Sequence, residues 1–315
     1  MTYTIRVLVA LMMTATATLA FADDYDFELN VSFDNTTLDF SQTITTDDGV
    51  IFNTNDSDTD VLSVSGTWYF SGLSDTYGPR SRAAFANRAS SVSLGYTELE
   101  QEFRAVLENS IPGSSIPSFA GVNRQDDEIY AGEFRYVLPT SGWFVTGGFQ
   151  TSSLLDENRW EVGVGKYLFT NTALSLVAGK VETDDGIPQS NAEVRLEHLG
   201  QLSEDWLYGV DVSFRRDDYK GGFVTDRWRA ALSLFPTKDF EFGVAAEDYD
   251  SNFPSGTDQS YEGFATWYVT DKVGLSASYK IDDLNWFGNV SLGGVPAVRD
   301  TEQDTVGVTA TIRFD

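Results

Sequence analysis

The sequence predicts an all-β protein, a closed antiparallel transmembrane β-barrel of about 14 strands, within a range of roughly 12 to 16. Three observations carry this. Apolar and polar residues alternate strictly over long segments, as in DWLYGVDVSF, where Trp206, Tyr208, Val210, Val212 and Phe214 alternate with polar or small neighbours. Connections between such segments are alternately short and long, and the long ones are acidic. Aromatic residues crowd beside the short connections, as membrane-boundary girdles do.

Composition agrees. The chain has 315 residues, a formal net charge of −27, 14% aromatics, 27 glycines against 8 prolines, and no cysteine. Disulfides and thiolate metal sites are therefore excluded, and the charge argues against nucleic acid as a partner. Residues 1–22 carry Arg6, an apolar stretch from Val7 to about Ala20, and the triplet Ala20, Phe21, Ala22 before Asp23. This pattern reads as a cleaved secretory signal, which leaves 23–315 as a single transmembrane β-barrel. Beyond it no run approaches the ~18 apolar residues that a spanning helix needs.

Taken in order, strands are expected near residues 25–34, 60–71, 89–98, 128–138, 142–152, 158–169, 172–183, 191–200, 206–217, 224–235, 238–249, 259–269, 272–283 and 304–314. The acidic segment Thr36 to Thr59 has room for one more hairpin. Helical periodicity is confined to Arg80 to Ala89 and Thr97 to Ser110. The short connections LPTSG, FTNT, GQLSED, FPTKD and VTDK recur at a hairpin's spacing and assign one rim. LLDEN, ETDDGIPQS, RRDDYKGG and their successors assign the other. Short periplasmic turns and longer outer loops are the order found in outer-membrane barrels. The last strand, DTVGVTATIRFD, sets Val306, Val308, Ala310, Ile312 and Phe314 on one face, and is expected to close the sheet against the strand near Tyr25. Phe314 stands where the barrel-assembly machinery reads a terminal aromatic, although Asp315 follows it.

Between the second and third strands lies WYFSGLSDTYGPRSRAAFANRASSVSLGY, Trp68 to Tyr96. An aromatic strand end, a Gly-Pro, then AAFANRAS and a Val-Ser-Leu-Gly-Tyr strand resembles a family of outer-membrane porins from marine gammaproteobacteria, within the general bacterial porin-like β-barrels. The resemblance implies a channel for passive diffusion of small hydrophilic solutes and ions. Where the family carries Pro-Leu-Ala-Glu, this chain has Pro79, Arg80, Ser81, Arg82, which leaves open what this connection touches.

If alternate residues face lipid, the rest face the lumen. Inward positions then include Glu133, Arg135, Glu161, Lys180, Glu193, Arg195, Glu197, Asp211, Arg215, Arg227, Arg229, Glu241, Glu247, Lys272, Lys280 and Arg313. A mixed-sign set of this size requires water, because unpaired buried charges are very costly. Arg195, Arg215, Arg227 and Arg229 are expected to form a basic patch on one wall. The opposing acids of a constriction are Asp126, Asp127 and Glu128, if the connection Leu99 to Glu128 folds inward as a loop. Equally open is that these arginines only pair with neighbours such as Glu193, Glu197 and Asp211.

Calcium ligation by Asp56, Asp58 and Asp60 lacks the twelve-residue loop with its Gly and terminal Glu, so neither a metal nor a cofactor is expected. His198 is the sole histidine, beside a short turn, and no serine sits in a nucleophile elbow, so an enzyme is not expected. The alternatives are a secreted or outer-membrane β protein for adhesion or binding and, further off, an outer-membrane hydrolase. Expected partners are outer-membrane lipid and lipopolysaccharide, small hydrophilic solutes, the assembly machinery, and two further copies in a homotrimer.

Overall fold

The computed structural model describes residues 24–46, 49–74, 78–109, 119–153, 157–183, 189–219, 222–251, 257–283 and 297–314. The expected export signal and Asp315, which follows the terminal aromatic, lie outside them, as do the tips of most acidic loops. Fourteen strands close into one barrel in which every strand pairs antiparallel with its sequence neighbour. They are β1 (Asp24–Thr46), β2 (Gly49–Ser74), β3 (Ser91–Asn109), β4 (Phe119–Val137), β5 (Trp143–Ser152), β6 (Glu157–Phe169), β7 (Thr172–Thr183), β8 (Gln189–Gln201), β9 (Leu207–Tyr219), β10 (Phe223–Thr237), β11 (Phe240–Ser251), β12 (Thr257–Thr270), β13 (Val273–Asp283) and β14 (Ala297–Phe314). The seam is β1 against β14, with Phe27 opposite Phe314 and Ile44 opposite Ala297. The membrane-spanning part of the sheet therefore has no free edge, as it requires.

The period-two pattern decides the faces. Phe27, Leu29, Val31 and Phe33 share the outer face of β1, and Glu28, Asn30, Ser32 and Asp34 point inward. Outward positions elsewhere are large and exposed, among them Val162, Leu176, Val244 and Val308. Such a surface is not tolerated in water and fits lipid. Glycine inside the barrel makes room for neighbours: a Cβ on Gly165 would lie 2.2 Å from the Phe144 ring.

Two aromatic belts circle the barrel rather than the single expected rim. Tyr130 and Tyr136 on β4, Trp143 and Phe149 on β5, Tyr208 and Phe214 on β9, and Tyr261 and Trp267 on β12 are each six residues apart on the outer face. Six residues span roughly 20 Å of strand, or about 15 Å of height on a strand tilted by about 40°, so the rings sit at the two ends of the apolar stretch. Ring pairs join neighbouring strands along the outer belt, with centroids 5.3 Å apart for Tyr96 and Tyr130, 5.8 Å for Phe149 and Trp160, and 4.5 Å for Phe214 and Trp228.

Four expectations are corrected here. Thr36 to Thr59 holds no extra hairpin among its described residues, because β1 and β2 simply continue, paired as far as Thr46 with Gly49. Thr97 to Asn109 is not helical but the upper part of β3. The described residues of Leu99 to Glu128 do not form an inward loop: β3 and β4 stay paired up to Leu107 and Phe119. Lys180 does not face the lumen; it shares the outer face with Leu174 and Leu176 and bonds Glu182. The β1–β4 side thus rises beyond the outer belt, by roughly 40 Å of strand on β3.

Candidate functional site

The site is the barrel's inner wall and the mouth on its short-turn side. On β8, β9 and β10 the register brings the four expected arginines together. Arg215 lies directly opposite Arg227, and Ser213 lies between Arg195 and Arg229. Like charges facing each other across a strand pair are destabilising unless neutralised, and each is. Arg195 binds Asp211 with Nε at 3.0 and 3.1 Å and also approaches Glu197 at 3.8 Å. Arg215 meets Asp217 at 3.1 Å, Glu161 at 3.3 Å and Glu193 at 3.8 Å. Arg227 pairs with Glu247 at 3.3 Å and lies over the Tyr249 ring, and Arg229 reaches Glu262 at 3.6 Å. The band stands level with the outer-belt pair Phe214 and Trp228, so it belongs to the outer half of the lumen.

The remaining expected residues separate. Arg135 sits lower, near the short-turn end, donating to Tyr167 Oη at 3.0 Å with its guanidinium over Phe144. Glu133, two residues above it, faces inward with no basic partner among the described residues. Asp127 also faces inward, is buried, and accepts from the Ser152 hydroxyl at 2.7 Å and the Ser153 hydroxyl at 3.0 Å. Asp126 and Glu128 do not oppose the arginines at all. They occupy the outer face of β4 opposite Glu100 and Glu98, and Glu128 accepts from Tyr130 Oη at 3.2 Å. Asp56, Asp58 and Asp60 of β2 lie on the same outer face of the extension. Among the described residues no three acids or histidines are grouped to hold a metal ion. His198 is on the outer face too, bonded to Thr172 Oγ1 at 2.8 Å and packed on Tyr208, away from the lumen.

The helical turn expected within Arg80 to Ala89 is present, and what sequence reasoning missed is where this β2–β3 connection, residues 78–90, lies. Pro79 opens a 3-10 turn, Arg80–Arg82, and the helix formers of Ala83–Ala86 continue it for one turn. Arg88 ends it in the left-handed region at φ 51°, with bonds from Arg88 N–H to Phe85 O and from Ala89 N–H to Ala84 O. This is the stop in which glycine is usual. The segment does not hang away from the barrel; it crosses the mouth. On the β1–β6 side it packs apolar groups: Ala83 and Ala89 pack with Tyr25, Tyr69 and Leu73, and Phe85 packs against the Tyr167 ring beside Phe144. On the opposite side it is polar. Arg80 N–H donates to Lys238 O at 2.9 Å, and the Arg80 side chain pairs with Asp239 at 3.1 Å and with Asp271. Arg313, 1% exposed, donates to Arg80 O at 2.7 Å, to Tyr268 Oη at 2.9 Å and to Glu28 at 3.1 Å, between the rings of Tyr25 and Tyr268.

By sequence, no protein-family model and no curated protein matches the chain. By shape, it is similar to the outer membrane protein Omp33 of Acinetobacter baumannii, with a TM-score of 0.57 and 16% identity over 93% of this chain and 100% of that one. OccK7 of Pseudomonas aeruginosa (TM-score 0.37, 10% identity, 93% and 99% covered) and OprB of Pseudomonas putida (TM-score 0.42, 8% identity, 92% and 93% covered) align more loosely. The chain has the fold of a porin-like outer-membrane transmembrane β-barrel.

Proposed function

We propose that this chain is an outer-membrane porin, a water-filled channel for passive diffusion of small hydrophilic solutes and ions, with a preference for cations. The observation that supports it most is the inner wall of β8–β12, where arginines and carboxylates pair across strands around a barrel of 14 strands. About eight strands can be filled by their own side chains, whereas roughly 16 to 18 leave an aqueous channel. A solute passes such a wall by exchanging water for weak contacts with facing charges, and no bond is made or broken.

The preference follows from charge balance. One guanidinium, Arg215, faces three carboxylates, and Asp34 and Glu133 face the lumen without a basic partner among the described residues. A low-dielectric barrel focuses that negative excess on the path. Liposome swelling tests the reading: uptake is expected to fall steeply with solute size and to be faster for a cationic than for an anionic amino acid of equal size. Swelling no faster than in protein-free liposomes, both from the native protein and from a variant with residues 78–88 replaced by a Gly-Ser linker, each showing heat-modifiable gel migration, would contradict it.

A further inference from the structure

We propose that the segment 78–90 is a plug that gates this channel from the periplasmic side and is latched shut through Arg80; the proposal rests on the channel reading. The attachments differ on the two sides of the mouth. On the β1–β6 side the segment is rooted by packing, through Ala83, Ala89 and Phe85, to which the bonds from Asn87 to Ser74 O and from Arg88 to Phe169 O are added. On the β10–β14 side the holding contacts among the described residues are polar: Arg80 to Lys238, Asp239 and Asp271, Arg82 to Glu241 at 3.7 Å, and the carbonyl of Arg80 to Arg313. A piece that served only to fill the barrel would be apolar on both sides, whereas rooted packing with a polar far edge describes a flap.

Two further features fit a moving part. Left-handed residues stand near both ends, Gly72 close to the end of β2 at φ 65°, Gly78 as the segment's first residue at φ 78°, and Arg88 near its exit at φ 51°, so the chain turns sharply there. The latch is also made to be reversible. Arg80 is 3% exposed while its partners Asp239 and Asp271 are 40% and 54% exposed, so salt and solvent reach the acids that hold it. The other described connections on this rim, between β4 and β5, β6 and β7, β8 and β9, β10 and β11, and β12 and β13, are too short to cross the mouth.

Single-channel recording in planar bilayers tests the gate with three proteins. They are the wild type, the surface double variant Asp239→Asn with Asp271→Asn, and a variant in which residues 78–88 are replaced by a Gly-Ser linker of equal length. The wild type is expected to be closed most of the time and to open more as KCl is raised. The double variant's open probability is expected to rise about tenfold at low salt, and the linker variant to stay open. Equal steady currents through wild type and linker variant, both folded by heat-modifiable migration, would overturn the gate and leave the channel standing. No current through the folded linker variant would overturn the channel reading itself.

Discussion

Arg313→Met isolates the strut that ties the barrel's seam to its mouth. Methionine keeps the length and the apolar stem but removes the guanidinium that bonds Glu28, Tyr268 and the carbonyl of Arg80 and lies 4.3 Å from the centroids of two tyrosine rings. Breaking a buried ion pair by deleting one partner costs about 3–5 kcal/mol, since the other charge is left behind. Each cation–π contact contributes roughly 0.5–2 kcal/mol. These contributions share one group and are not additive, so a loss of about 4 kcal/mol is expected. Urea unfolding of the detergent-folded barrel, followed by tryptophan fluorescence, measures it as a midpoint shift at constant slope. Glu28→Gln in the same background should cost less than in the wild type, because its partner has already gone. A loss for Arg313→Met below about 1 kcal/mol, or costs that add within about 0.5 kcal/mol, would refute the strut.

Arg227→Ala with Arg229→Ala removes two cations that pair with Glu247 and Glu262, so conductance should rise and the zero-current potential in a KCl gradient should move further toward cation selectivity; unchanged currents would take the pair out of the permeation path. Gly165→Ala would drive a Cβ into the buried Phe144 ring and to 2.8 Å from Leu174 O, and should destabilise by about 1–3 kcal/mol. Gly263→Ala, with nothing within 4 Å, should be neutral or slightly stabilising in the same urea assay, and an equal cost at both sites would contradict the packing account. Hydrogen bonds from Arg104 and Arg124 hold the Glu102 carboxyl below the usual glutamate range. A depressed carboxyl contributes stability above its unfolded pKa and loses it as pH falls through the folded value, so amide protection in the β3–β4 extension should hold at neutral pH and decline in acid, and Glu102→Gln should abolish that decline. Protection in the wild type that is indifferent to acid would argue against the pairing.

Much of the fold was legible because a membrane barrel repeats one local rule. The short turns at 138–142, 169–172 and 270–273 bound strands whose observed limits differ from the alternation by only a few residues. The rule stops being visible where strands leave the membrane. On β3 the outer face changes from Leu94 and Tyr96 to Glu98, Glu100 and Glu102, and on β4 from Phe134 and Tyr130 to Glu128 and Asp126. Outward residues that meet water need not be apolar, so the alternation fades although the hydrogen-bond ladder continues. That is why an inward loop was expected where two paired strands rise. The six-residue spacing of aromatics would have marked the boundary. The mouth was legible only in part: Pro79 and Ala83–Ala86 announce a helical turn. Nothing local to Arg80 announces Asp239, Asp271 or Arg313, which reach it only once the barrel has closed.

The zero-current potential of the purified, heat-modifiable barrel in a planar bilayer under a KCl gradient tests the central claim most directly, because it reads both an aqueous path and the sign of its wall. Discrete openings with a potential of cation-selective sign are expected. An anion-selective sign, or the absence of current from both the wild type and the plug-replaced protein, would contradict a water-filled channel lined by this excess of carboxylates.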